Sequence, residues 1–278
     1  MSEIKYGVID HHSMWGWPKQ NTTPEEAEIV FVWNDFTIKE DVLRWQKEGK
    51  KVICFEHGWN AFFDYKLNNH IPIADGFLAL GKNSAKSLIE CGLNQQKVLI
   101  TGNPNLGKIR KIKPYFFPHR KKILYTALHW TRDLYDYNNA KLDEIINTFS
   151  SVADIYVKTN DKSKIRIPDG VLQWNSNINE NKCLFQEIMN GLKNFDIVLT
   201  PKESTFDFIA LKIGKKVFRI GKPEEYRHSD DPNTRSILPY EPISIELLNK
   251  NCEIMVNLED ELSKSIKMSK ILKWAVEA

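Results

Sequence analysis

Asp75-Gly76-Phe77-Leu78-Ala79-Leu80-Gly81, then Asn83-Ser84-Ala85-Lys86-Ser87-Leu88-Ile89, then Lys97-Val98-Leu99-Ile100-Thr101 decide how this chain folds. The outer two stretches are short apolar runs of strand length. The middle one opens on a polar cap and continues with an apolar face, as a helix start does. Strand, helix, strand is the grammar of a parallel sheet, because parallel neighbours need a crossover between them. The same alternation continues upstream. Strands are expected at 5–9, 29–33 and 51–55, beside those at 76–80 and 97–101, with helices at 38–48 and 83–91.

Asn103-Pro104-Asn105 and residues 108–118 interrupt the pattern with prolines, glycine and basic residues. It then resumes. Strands are expected at 122–127, 154–158, 171–174, 196–200 and 216–220, and helices at 142–150, 184–192, 205–211 and 258–276. Two βαβ blocks joined by a proline-rich hinge predict an α/β protein. Its expected architecture is two Rossmann-like, doubly wound domains facing a cleft, spanning 1–107 and 108–278. The last helix has the option of packing back on the first domain.

Composition excludes several classes. The 278 residues carry 42% hydrophobic and 27% charged side chains, an ordinary soluble composition. A net charge of +3 is too small to argue by itself for nucleic-acid binding. No apolar run approaches the roughly 18 residues of a membrane span. The N-terminus lacks the apolar region of a signal peptide. Cys54, Cys91, Cys183 and Cys252 form no CxxC pair, which disfavours a zinc ribbon and fits a reducing compartment. A cytoplasmic location is expected, with peripheral membrane contact left open.

Open parallel sheets bind ligands beyond the carboxyl ends of their strands, so the residues just after each strand matter most. Asp10-His11-His12 follows the first strand, and Glu56-His57-Gly58-Trp59-Asn60 the third. Histidine is the usual general base near neutral pH. His57 is therefore the leading candidate base, with His11 and His12 behind it. Gly58 permits close approach of a ligand. The plain alternative is a set of loop histidines with local hydrogen bonds.

His129-Trp130-Thr131-Arg132 follows the first strand of the second block, where Arg132 suits a phosphate and Thr131 offers a hydroxyl. The alternative is a surface arginine. In Thr200-Pro201-Lys202-Glu203-Ser204-Thr205-Phe206-Asp207-Phe208 a strand ends and a helix begins. A helix start with hydroxyl caps is an anion site, and Glu203 or Asp207 could hold ribose hydroxyls. Ordinary N-capping by Ser204 is the alternative. There is no GxxxxGK[ST], no GxGxxG after the first strand and no GxSxG. No histidine pair has metal-ligand spacing on a helix, so no metal site is expected.

The order of these segments resembles the GT-B glycosyltransferase superfamily: His57-Gly58, then Asp75 to Ser84, Thr101-Gly102-Asn103-Pro104, Ile123 to Ala127, and Ile197 to Thr205. Two branches look most similar. The CDP-glycerol glycerophosphotransferases are echoed by His57-Gly58, Trp130-Thr131-Arg132, Ser204 to Phe208 and Glu224-Glu225-Tyr226-Arg227. The UDP-N-acetylglucosamine 2-epimerases share the His-Gly and Gly-Asn-Pro elements. Pro201 departs from the aspartate usual after the late strand.

The resemblance implies a metal-independent enzyme without a cofactor, which transfers a sugar or polyol phosphate from a UDP- or CDP-linked donor. Arg132, Thr131, Ser204 and Thr205 would bind the donor's phosphates, and Glu203 or Asp207 its ribose. Its base would lie near Trp174. The acceptor, a cell-wall or surface glycan or DNA, would meet Gly58, Trp59 and Asn60, with His57 as base. Three alternatives stand beside this: an epimerase of the same pocket, a phage-type DNA glycosyltransferase using the basic stretch 108–122, and a non-catalytic sugar-nucleotide binding module. The oligomeric state is not legible.

Overall fold

The computed structural model describes residues 3–9, 20–33, 39–56, 72–90, 92–102, 120–128, 134–159, 165–175, 184–222, 225, 238–254 and 266–277. The chain forms two compact units. One comprises Met1–Lys108, Pro232–Arg235 and Asn257–Ala278, and the other Ile109–Asp231 and Ser236–Val256.

The first unit holds β1 (Tyr6–Val8), β2 (Ile29–Trp33), α1 (Lys39–Lys47), β3 (Lys51–Phe55), β4 (Gly76–Ala79), α2 (Lys82–Glu90) and β5 (Val98–Ile100). Its five strands pair in the order β1-β2-β3-β4-β5, every pair parallel. Right-handed crossovers that step one way across a sheet leave their helices on one face. That face carries Val30, Val32, Val52, Cys54, Phe77 and Ala79, packed with Val42 and Trp45 of α1 and Ala85 and Leu88 of α2.

The other face is apolar too, as expected of a parallel sheet covered on both sides. Ile29, Phe31, Ile53, Phe55 and Leu78 pack against Ile271 and Ala275 of α6 (Met268–Glu277). The indole of Trp274 lies so close to Gly76 that a Cβ there would collide with it. Ile266 N–H donates to the Thr101 carbonyl at 2.9 Å, fixing the entry to α6. The final helix therefore packs with the first unit.

The second unit holds β6 (Lys121–Thr126), α3 (Tyr135–Phe149), β7 (Ala153–Thr159), β8 (Leu172–Asn175), α4 (Leu184–Leu192), β9 (Ile197–Thr200), α5 (Thr205–Lys212) and β10 (Lys216–Arg219). The strand order is β10-β9-β6-β7-β8, all parallel. Ile123, Tyr125, Val157, Ile197 and Leu199 face Leu142, Ile145 and Phe149 of α3. Alternation sends Leu124, Tyr156 and Val198 to the opposite face. There Trp174 meets Phe206 of α5 at 5.5 Å between ring centroids and crowds Gly191 of α4.

Two helix starts differ from expectation. α3 begins at Tyr135 rather than 142, because Asn138, a polar residue, is fully buried on its first turns. α2 begins at Lys82, so Asn83 and Ser84 lie inside the helix rather than capping it.

Candidate functional site

In the second unit the strand order reverses between β6 and β9, the position at which open α/β sheets bind ligands. The register shows what the sheet presents there. Arg219 pairs with Thr200, Thr126 with Lys158, and Lys158 with Trp174. Tyr125 pairs with Leu199, which sets Thr126 beside Thr200. In-register neighbours project to one face. Arg219, Thr200, Thr126, Lys158 and Trp174 thus form a polar rung at the carboxyl edge, on the face that carries α5. One rung earlier the same face is Val217, Val198, Leu124, Tyr156 and Leu172.

The start of α5 lies on this rung. Ser204 is the N-cap, with an extended backbone (φ −127°, ψ 172°). Its N–H donates to Asp207 Oδ2 at 2.7 Å, and its hydroxyl to the same oxygen at 2.9 Å. Thr200 Oγ1 lies 3.2 Å from that oxygen and 2.6 Å from the Lys202 carbonyl. The first turn of a helix has N–H groups without intrahelical acceptors. With the loop held this way, those of Thr205 and Phe206 stand at the helix start.

Asp207 is fully buried, and its Oδ1 has no hydrogen-bond partner among the described residues. Loss of water pushes its carboxyl pKa up to about 7. The Ser204 N–H and hydroxyl work against that rise, nearby Glu203 adds to it, and the Thr200 hydroxyl opposes it. Glu203 is also buried and accepts the Leu238 N–H at 2.8 Å. Asp207 has no exposed surface and Glu203 almost none, and Asp207 holds the loop through Ser204 and Thr200.

Lys158 was not among the sequence candidates. Its ammonium lies 5.1 Å from the centroid of the Phe206 ring, the second residue of α5. Burial lowers its pKa, while the charge of Asp207 works in the opposite direction. The signal in the sequence was a lysine in the alternating run Asp154-Ile155-Tyr156-Val157-Lys158-Thr159, on the side opposite Ile155 and Val157. Arg219 is committed elsewhere: its Nε donates to the Leu238 carbonyl at 3.0 Å.

Trp174, expected near a nucleotide base, is packed between Phe195 and Phe206 at 5.4 and 5.5 Å, so it builds the wall under α4 and α5. Thr205 opens α5. Thr131 and Arg132 lie outside the described residues, as do His11, His12, His57, Gly58, Trp59 and Asn60. Leu128 and Glu56, at the edges of two of these segments, are described. Leu128, the last described residue before 129–133, is held by Asn138. Glu56, preceding His57, is buried; its Oε2 accepts the Leu80 N–H at 2.6 Å and its Oε1 accepts the Ser84 hydroxyl.

Of the basic stretch 108–122 only the last three residues are described. Arg120 donates to the Ala153 carbonyl at 3.0 Å and pairs with Asp154 at 3.3 Å. Among the described residues no group of three or more His, Cys, Asp or Glu side chains is placed to hold a metal ion. None of the described helices is long and apolar enough to cross a membrane.

No family model matches the sequence, and no curated protein does either. Solved structures do. A Listeria monocytogenes protein assigned as a UDP-N-acetylglucosamine 2-epimerase aligns with TM-score 0.51 at 17% identity, over 72% of this chain and 59% of its own. The UDP-GlcNAc 2-epimerase of Methanocaldococcus jannaschii aligns with TM-score 0.51 at 14% identity, over 90% of this chain and 78% of its own. The wall teichoic acid polymerase TagF gives TM-score 0.49 at 12% identity, over 99% of this chain and 74% of its own. The class defined by the two parallel α/β units and their epimerase neighbours is the GT-B fold. This chain spans less than two thirds of the Listeria protein's length.

Proposed function

We propose that this chain is a GT-B-type enzyme that transfers a sugar or polyol phosphate from a nucleotide-activated donor to an acceptor hydroxyl. The donor's diphosphate sits at the start of α5. The observation that carries the reading is the polar rung beneath that helix start, placed at the strand-order reversal. A helix N-terminus offers free N–H groups and a favourable dipole to an anion, and stabilising a departing nucleotide phosphate is what the transfer requires. Thr131 and Arg132, in the segment anchored by Leu128, add a hydroxyl and a guanidinium to the same phosphates. His57, next to the clamped Glu56, is the proposed general base for the acceptor. In this reading a UDP- or CDP-linked donor is the substrate, and neither cofactor nor metal takes part.

One specific observation favours a second reading, a UDP-N-acetylglucosamine 2-epimerase. The Methanocaldococcus enzyme, whose fold this chain shares, has been solved in complex with UDP-GlcNAc and UDP. Such an enzyme uses the same donor site and needs no acceptor.

Thermal shift with UDP, CDP, GDP and their sugar or glycerol conjugates tests the shared core of both readings. A ligand at 100 times its Kd stabilises by about 2.7 kcal/mol. At least one nucleotide should raise the Tm; a flat response to all of them refutes both. Product analysis with the stabilising conjugate then separates transfer from epimerisation. His57→Ala should abolish turnover without abolishing nucleotide binding, and unchanged turnover rules His57 out as the base.

A further inference from the structure

We infer that Lys158 supplies the positive charge for the donor's diphosphate at the start of α5. The inference rests on the nucleotide-donor reading above and names a residue that reading does not contain.

Three observations lead to it. First, Lys158 occupies the polar rung at the carboxyl edge of the sheet, in register with Thr126 on one side and Trp174 on the other. It therefore points to the face on which α5 begins. Second, its ammonium is drawn to the first turn of that helix, 5.1 Å from the centroid of the Phe206 ring. A cation beside a helix N-terminus is placed against the helix dipole. Such a placement becomes favourable when an anion occupies the space that both address. Third, no hydrogen-bond acceptor or ion-pair partner contacts the ammonium of the partly buried Lys158 among the described residues. Arg219, the other cation of the rung, is by contrast tied to the Leu238 carbonyl.

Asp207 does not neutralise Lys158 by direct contact. Its Oδ2 is taken by Ser204 and Thr200, and the raised carboxyl pKa leaves it partly protonated near neutral pH. The site is thus not closed on itself. A diphosphate there would accept from the Thr205 and Phe206 N–H groups and from the Lys158 ammonium. Its binding would raise the lysine pKa by providing the missing counter-charge. A lysine suits this task, since it acts on phosphate as a point charge and needs no planar partner.

The test compares the wild-type chain with Lys158→Met and Lys158→Arg. Methionine keeps an unbranched stem against Phe206 while removing the charge, and arginine restores a charge. Binding of UDP, CDP, GDP and inorganic pyrophosphate is measured by titration calorimetry, with the Tm of each unliganded variant as a control on folding. The expected result is that Lys158→Met weakens the best diphosphate about 10- to 100-fold, the range of a charge-assisted hydrogen bond. Lys158→Arg should recover part of that loss, with both variants melting close to wild type.

If the wild type binds a nucleoside diphosphate and Lys158→Met binds it equally well, the role of Lys158 is overturned while the donor reading stands. Binding of pyrophosphate alone, lost in Lys158→Met, upholds Lys158 and overturns the nucleotide. If the wild type binds none of the four, both fall together. Should Lys158→Met melt far below wild type, the Lys158→Arg titration decides: an arginine that folds and binds as tightly as lysine upholds the charge. One that folds without binding any of them, where the wild type binds, refutes a purely electrostatic role.

Discussion

Asn138 holds the backbone of Leu128 from both sides: its Oδ1 accepts the Leu128 N–H at 3.0 Å, and its Nδ2 donates to the Leu128 carbonyl at 2.9 Å. The Tyr125 hydroxyl donates to the same Oδ1 at 3.3 Å. A fully buried amide on the second turn of α3 thereby fixes where the segment after β6 leaves the sheet. Thr131 and Arg132 belong to that segment.

Asn138→Ala removes both bonds and leaves two backbone groups unpaired away from water. The expected cost is about 2–4 kcal/mol, read as a lower urea midpoint. Asn138→Asp should be as damaging, because a carboxylate oxygen would then face the Leu128 carbonyl. A midpoint unchanged in both variants would remove the clamp from this account.

Gly76 is the contact point for α6. An added methyl meets the Trp274 ring, so Gly76→Ala should destabilise by about 1–3 kcal/mol through overpacking. In a Trp274→Ala background the same substitution should cost much less. A double-mutant cycle on denaturation midpoints measures the coupling; additive effects would mean that α6 does not rest on Gly76.

Glu56 joins β3 to the start of α2 by accepting from Leu80 N–H and the Ser84 hydroxyl. Glu56→Ala strands both donors and should cost about 2–4 kcal/mol. Glu56→Gln keeps one acceptor and should cost less. Circular dichroism melts of the two variants order them, and the reverse order would refute the clamp.

Asp207 makes stability depend on pH. Its pKa in the folded chain is near 7, above the roughly 3.9 of an unfolded aspartate. Between those values the native state keeps a proton that the unfolded chain has released. The contribution of this group is therefore fully present below about pH 4 and is lost as the pH rises to about 7. Asp207→Asn retains an acceptor for the Ser204 N–H and carries no charge. Its urea midpoint should fall less between pH 5 and 7.5 than that of the wild type. Parallel curves for the two proteins would show that Asp207 does not titrate in this range.

The two halves of the reading were legible to different depths. Both runs of parallel strands showed in the sequence, because a strand covered on two faces is apolar throughout, as in Ile29 to Trp33 and Ile197 to Leu199. The start of α5 showed too, since Ser204 followed three residues later by Asp207 is a local signal carried by neighbours in the chain. The start of α3 did not, because Asn138 looks like a surface residue until its partners at Leu128 and Tyr125 are seen.

By itself, then, the sequence determined the alternation of strands and helices, the division into two α/β blocks and the helix start at Ser204. These depend on hydrophobic period and capping, which act over a few residues. Only the tertiary structure decided that α6 covers the first sheet, that Asp207 is sealed from water, and that Lys158 shares a rung with Thr126 and Trp174. Those facts depend on strand order and register, which bring together residues far apart in the chain and leave no periodic trace in it.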